Sequence, residues 1–178
     1  MARVRGRRTV WLVGMMGAGK STVGAALARR LGVRFVDTDA EVVREAGASV
    51  AEIFEREGET AFRWRERRAI EALRSEPCVV ALGGGAIAQP GAADLLRKSG
   101  TVVYLRARPE SLAARVGRAA GRPLLAGASA DEQLERLRTL LAERAPYYES
   151  ADLVVDTDGA AVGEVVERVA GALAGAEA

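Results

Sequence analysis

Residues 14–21 read GMMGAGKS and follow directly on the apolar run TVWLV at 9–13. A short run with β-branched residues, stopped by glycine, reads as a buried strand. Beyond the glycines, Val23, Ala26, Leu27 and Leu31 recur at helical spacing from Ser21 to Leu31, and Gly32 ends that helix. Strand, glycine loop and helix in this order give G-x-x-x-x-G-K-[ST] a mechanism, and Gly14, Gly19, Lys20 and Ser21 fill its fixed positions. The glycines let the backbone wrap closely enough to aim N–H groups at phosphate oxygens, and the helix adds the positive end of its dipole. Lys20 is spaced to reach β- and γ-phosphates, and the Ser21 hydroxyl suits a Mg2+ ligand. A glycine-rich turn can be only a turn; the flanking strand and helix favour a nucleoside triphosphate site.

The same alternation runs outward from this unit. VRFVD (33–37), CVVAL (78–82) and TVVYL (101–105) read as further strands, and a fifth falls at about 152–155. Ser49 and Glu52 form a capping-box pattern that opens a helix through Glu57, and a second helix follows at about 59–74. Pro90 and Pro109 each open another helix, reaching about Lys98 and Arg118. A long helix covers about 131–145 and a last one about 161–174. Five short buried-type strands separated by helices predict an α/β fold, a parallel sheet covered on both faces. Nothing divides the chain, so it reads as a single domain over residues 1–178. In such sheets ligands bind beyond the carboxyl ends of the strands. GMMGAGKS, the aspartates of DTD (37–39) and the glycines of GGG (83–85) each follow a strand and should converge there.

Composition narrows the chemistry. The 178 residues carry 26 basic and 24 acidic side chains, a net +2 that argues for neither nucleic acid nor an anionic membrane. Lys20 and Lys98 are the only lysines in the sequence, so lysine at position 20 is informative. The sequence has no histidine, which excludes a histidine base, a triad or an imidazole metal site. Its single cysteine, Cys78, lies in an apolar run and reads as a buried structural thiol. MARVRGRR followed by apolar residues imitates a signal peptide, but the run leads into GAGKS without a small-residue cleavage pattern. No stretch is long enough to span a bilayer. The expectation is a cytoplasmic protein, and the lack of heptads predicts a monomer.

Other candidates have two readings each. Asp39 could cap a helix beginning at Ala40, or it could face a phosphoryl acceptor while Asp37 faces the metal. Arg63, Arg65, Arg67 and Arg68 share a helix; Arg63 and Glu66, three apart, share a side, but spacing does not single out Arg63. Arg122 lies in GRAAGRPLLAGASA (117–130), which has the composition of a mobile loop. It is a lid cation or a solvated charge. Arg144 sits at a helix end, where a cation also suits the dipole.

Taken in order, GMMGAGKSTVG, VDTD, IFEREGETAFRWRE, LGGGA, GRPLLAG and ERAPYY resemble shikimate kinase, a small P-loop kinase family of aromatic amino-acid biosynthesis. The pieces span about 14–148. The P-loop alone is widely shared; DTD, F-R-x-x-E, GGG and R-P-L-L together are far more specific. The resemblance implies the strand order 2-3-1-4-5, substrate-binding helices at about 40–74 and a lid at about 117–130. It implies phosphorylation of the 3-hydroxyl of shikimate by ATP. ATP would be bound by Gly14, Gly17, Ala18, Gly19, Lys20, Ser21 and Thr22, with Arg115 near the adenine and Arg122 on the phosphates. Ser21 and Asp37 would hold Mg2+, the latter through water. Asp39, Phe54, Phe62, Arg63, Glu66, Gly84, Gly85 and Arg144 would form the shikimate site, with Lys20, Asp39 and Arg122 as the catalytic set. Relatives commonly carry an arginine just after the last strand; VVDTDGAAVG here has none, which leaves the adenine to backbone and small side chains.

Physical chemistry agrees with these assignments. A carboxylate calls for arginine forks, and ring hydroxyls call for a carboxylate acceptor and backbone donors. Two other readings stay open at this point: another P-loop small-molecule kinase, of gluconate or nucleoside monophosphate type, and a non-catalytic nucleotide-binding module.

Overall fold

The computed structural model describes residues 9–116 and 129–176. The strands are β1 (Thr9–Val13), β2 (Arg34–Asp37), β3 (Cys78–Ala81), β4 (Gly100–Arg106) and β5 (Leu153–Asp156). They form one sheet in the order β2-β3-β1-β4-β5, with every neighbouring pair parallel. Parallel neighbours need crossovers, and the helices supply them. These are α1 (Lys20–Leu31), α2 (Thr38–Ala46), α3 (Val50–Leu73), α4 (Ala92–Ser99), α5 (Pro109–Val116), α6 (Ala130–Tyr148) and α7 (Val162–Ala176).

Burial along the strands explains the apolar runs. Successive strand residues point to opposite faces, and all five residues of β1 and all four of β3 are buried, so both faces of the sheet are covered. Trp11 and Leu12 of β1, Leu27 of α1, Leu96 of α4 and Leu105 of β4 are inaccessible at the centre. Burying a side chain of this size contributes about 1.5–3 kcal/mol. Cys78 is a buried free thiol whose pKa is pushed up by burial, as expected of a structural cysteine.

A second, smaller core joins α2 to α3. Val42, Ile53 and Phe62 are buried together, with Ala46, Val50 and Phe54 packed against them. The capping box predicted at Ser49 is formed, with Glu52 accepting from the Ser49 N–H and the Ser49 side chain accepting from Glu52 N–H. The two helices expected on either side of residue 58 are present, meeting at a non-helical Gly58 with φ 84° and ψ 169°, and are numbered together as α3. The last strand lies one residue later than the sequence pattern placed it. Helix α6 continues past Arg144 through Pro146 to Tyr148, so both tyrosines of ERAPYY are on its last turn.

Candidate active site

The loop between β1 and α1 is built to receive an anion. Helices α2, α3 and α6 have side-chain caps from Asp37, Ser49 and Ser129, whereas α1 has Gly19 at its N-cap, no side-chain cap and no acidic residue in its first turn. The positive end of its dipole is thus not neutralised by a side chain of its own, which suits an incoming anion. Gly14 and Gly17 have φ of 142° and 81°. A Cβ at Gly14 would lie 2.6 Å from the Leu105 carbonyl, and one at Gly17 2.8 Å from Val116 Cγ2. The loop is therefore pressed onto β4 and α5 at positions where only glycine fits. Lys20 Nζ donates to the carbonyls of Gly14 (2.8 Å) and Met15 (2.9 Å), which hold the ammonium over the loop.

Asp37 serves two partners. Oδ1 accepts from the N–H groups of Asp39 (3.0 Å) and Ala40 (3.3 Å) and so caps α2, while Oδ2 accepts from the Ser21 hydroxyl at 2.6 Å. The cap is thus Asp37 and not Asp39, because α2 begins at Thr38, two residues before the expected start. Asp39 sits in the first turn and lines both cavities described below. Ser21 Oγ and Asp37 Oδ2 are hard oxygen donors side by side on the phosphate side of the cleft, a donor set that fits Mg2+.

Two cavities meet at the carboxyl edge of the sheet. The larger, about 670 Å3, is lined by Gly17, Ala18, Gly19, Lys20, Ser21, Thr22 and Asp37, and toward β5 by Arg115, Thr157, Ala160, Val162 and Val165. The smaller, about 410 Å3, is lined by Phe54, Glu59, Phe62, Arg63, Gly85, Leu140 and Arg144, among others. Asp39, Val50, Gly83 and Gly84 belong to both walls. Gly14 and Glu66 stand behind the walls and support them.

In the smaller cavity two guanidinium groups face a carboxylate. Arg63 donates to Glu66 Oε2 at 2.8 Å and to Glu59 Oε1 at 3.1 and 3.2 Å, and lies 5.4 Å from the Phe62 ring centroid. The Phe54 and Phe62 rings lie 5.1 Å apart on the same side. The other arginines of α3 point elsewhere: Arg56 pairs with Glu52, Arg65 with Glu57, Arg67 with Glu71, and Arg68 lies beside Glu45 and over Trp64. Glu66 is 1% exposed, and burial pushes its carboxyl above the usual carboxylate range although Arg63 pulls it down. Its Oε1 is buried without a hydrogen-bond partner among the described residues. A Cβ at Gly83 would collide with that oxygen and with Asp39 Oδ1; one at Gly84 or Gly85 would press on Arg144 or Arg63. The triple glycine is what allows both arginines and both acids to close around one turn.

Arg115 closes the other end. It donates to the Thr157 hydroxyl (3.1 Å), the Thr157 carbonyl (2.9 Å) and the Gly17 carbonyl (3.3 Å), tying the phosphate loop to the β5–α7 connection. Beyond it the wall is Ala160, Val162 and Val165, all apolar. Arg122 and most of the expected lid at 117–130 lie outside the described residues.

Sequence reasoning passed over Tyr148. It is fully buried, donates to the Gly84 carbonyl and lies 3.5 Å from Met15 Sδ. The only signal in the sequence was its place in ERAPYY, one helical turn beyond Arg144.

Comparison with known proteins places this architecture. A family model described as shikimate kinase matches residues 16–174. A shikimate kinase of Geobacter metallireducens is 45% identical over 169 residues, covering 94% of this chain and 93% of its own. One from Chlorobium chlorochromatii is 44% identical over 166 residues, covering 90% and 87%. The solved structure of shikimate kinase from Acinetobacter baumannii in complex with shikimate has a TM-score of 0.89 and 38% identity, covering 96% of this chain and 94% of its own. With its sheet order, its paired cavities and relatives this similar over nearly its whole length, the chain belongs to the shikimate kinase family.

Proposed function

We propose that this protein transfers the γ-phosphoryl group of ATP to the 3-hydroxyl of shikimate. The observation that carries the reading is the 410 Å3 cavity in which Arg63, Arg144, Asp39 and the Gly83–Gly85 turn converge beside the phosphate loop. Shikimate is a small ring with one carboxylate and several hydroxyls. Arg63 and Arg144 supply bidentate donors for the carboxylate, Phe54 and Phe62 an apolar flank, and Asp39 an acceptor for the hydroxyls.

The transfer asks for alignment and charge stabilisation more than for covalent help. Asp39 lies on the wall common to both cavities, where it orients the attacking hydroxyl and can take its proton. The α1 N–H groups and Lys20 stabilise charge developing on the β- and γ-phosphates. Ser21 and Asp37 would hold Mg2+, which when bound neutralises phosphate charge. Arg115, Thr157, Ala160 and Val165 flank the base. Arg122 is assigned to the phosphates by the family pattern alone. A monomer working in the cytoplasm fits this chemistry, and no helix among the described residues is long and apolar enough to cross a membrane.

A coupled ADP-release assay with shikimate, gluconate and nucleoside monophosphates as acceptors tests the reading. Shikimate alone should give turnover. Preferred turnover of gluconate would reassign the arginines to a sugar acid, and of a nucleotide would require a second base site.

A further inference from the structure

The Gly83–Gly85 turn faces both cavities, yet it is held from behind by hydroxyl groups. Thr38, completely buried, accepts the Gly83 N–H on its Oγ1 at 3.2 Å. Tyr148, also completely buried, donates its hydroxyl to the Gly84 carbonyl, and its ring stacks on Tyr104 at 5.1 Å. Burial raises the phenol pKa to about 12, so the group remains a donor at any working pH. Among the described residues there is no cis peptide bond. In a trans peptide the carbonyl and the next N–H point to opposite sides. With the Gly84 carbonyl turned inward to Tyr148, the Gly85 N–H is turned outward, and it makes no backbone hydrogen bond among the described residues. A glycine–glycine peptide has no side chain to resist rotation, so its orientation depends on what grips it.

We propose that Tyr148 is a positioning residue for the acceptor: its hydroxyl locks the Gly84–Gly85 peptide so that the Gly85 N–H is presented as a donor to an acceptor oxygen in the Arg63–Arg144 cavity. Arg144 and Tyr148 are four residues apart on α6, so one helix both contributes a guanidinium to that cavity and sets the backbone opposite it. This proposal rests on the acceptor reading given above.

The test is Tyr148→Phe, which removes one oxygen and keeps the ring stack. The KM for shikimate should rise about tenfold, the order expected when a buried carbonyl loses its donor, while the KM for ATP stays unchanged. An unchanged KM for shikimate, whatever happens to the melting temperature, overturns the proposal. So does a KM for ATP that rises in step, which would place the effect at Met15 of the phosphate loop. Wild-type protein supplies a readout that does not depend on the variant folding. The Gly85 amide resonance should shift on adding shikimate and not on adding a non-hydrolysable ATP analogue; no response to shikimate overturns the proposal. Failure of the wild type to turn over shikimate would instead remove the acceptor reading itself.

Discussion

Asp37 divides its two oxygens between a helix cap and the Ser21 hydroxyl, and the two duties can be separated. Asparagine caps a helix about as well as aspartate, so Asp37→Asn should leave the melting temperature close to wild type. It removes the charge on the metal side, and the Mg2+ concentration for half-maximal rate should rise about tenfold or more. Rate against Mg2+ at saturating ATP checks this; an unchanged curve would mean that Asp37 serves the helix alone. For Asp39 the structure has removed the capping role, so Asp39→Asn does not uncap α2 and costs at most the small first-turn dipole contribution. Its kcat should fall about 10²-fold or more, with ATP affinity and melting temperature near wild type. A normal kcat would take Asp39 out of the acceptor site. The two aspartates were legible in the sequence as a pair, but not which one capped. That depends on where the helix starts, and a shift of two residues exchanges the roles.

Helix α3 turns one of four clustered arginines inward. Arg63 is hemmed between Glu59 and Glu66, while Arg65, Arg67 and Arg68 pair with acids on other faces. A lysine at 63 keeps the charge and loses the fork. Arg63→Lys should raise the KM for shikimate about tenfold and leave the KM for ATP unaltered, whereas Arg67→Lys should change neither. Steady-state kinetics with each substrate varied in turn decides it; an effect confined to ATP would reassign Arg63. The helix and its N-terminal box were readable from Ser49, Glu52 and the apolar spacing. The choice of Arg63 was not, because helical period places arginines around an axis without saying which side meets a cavity. The end of α6 was hidden for a similar reason. Pro146 reads as a stop, yet it lies in the last turn, and Glu149 N–H still closes onto the Ala145 carbonyl.

At the scale of the whole molecule the buried Glu66 makes stability depend on pH. Folded Glu66 holds its proton to higher pH than the unfolded chain does, because burial outweighs Arg63. Its contribution is present below the usual carboxylate range and is lost as pH rises through the folded value. Glutamine at 66 does not titrate. The melting temperature of Glu66→Gln relative to wild type should therefore rise between about pH 4 and about pH 7.5. Thermal melts at both ends check the sign, and a relative stability that falls with pH would mean that the ion pair wins. The sheet was legible chiefly because its inner strands β1, β3 and β4 are buried on both faces and read as apolar runs. Glu66 was named by the family pattern but its burial was not legible, and Tyr148 escaped altogether, because both lie behind a turn contributed by another strand.

That Asp39, Val50, Gly83 and Gly84 are walls of both cavities has a thermodynamic consequence. Whatever one ligand does to the order of this shared partition is already done when the second arrives, so the two occupancies form a linked cycle. If ADP tightens shikimate by some factor, shikimate must tighten ADP by the same factor, since the free energy around the cycle sums to zero. Calorimetric titration of each ligand with and without the other measures both sides. A common partition predicts two equal factors distinct from one, and a pair of factors indistinguishable from one would show that the partition is rigid enough to insulate the two occupants.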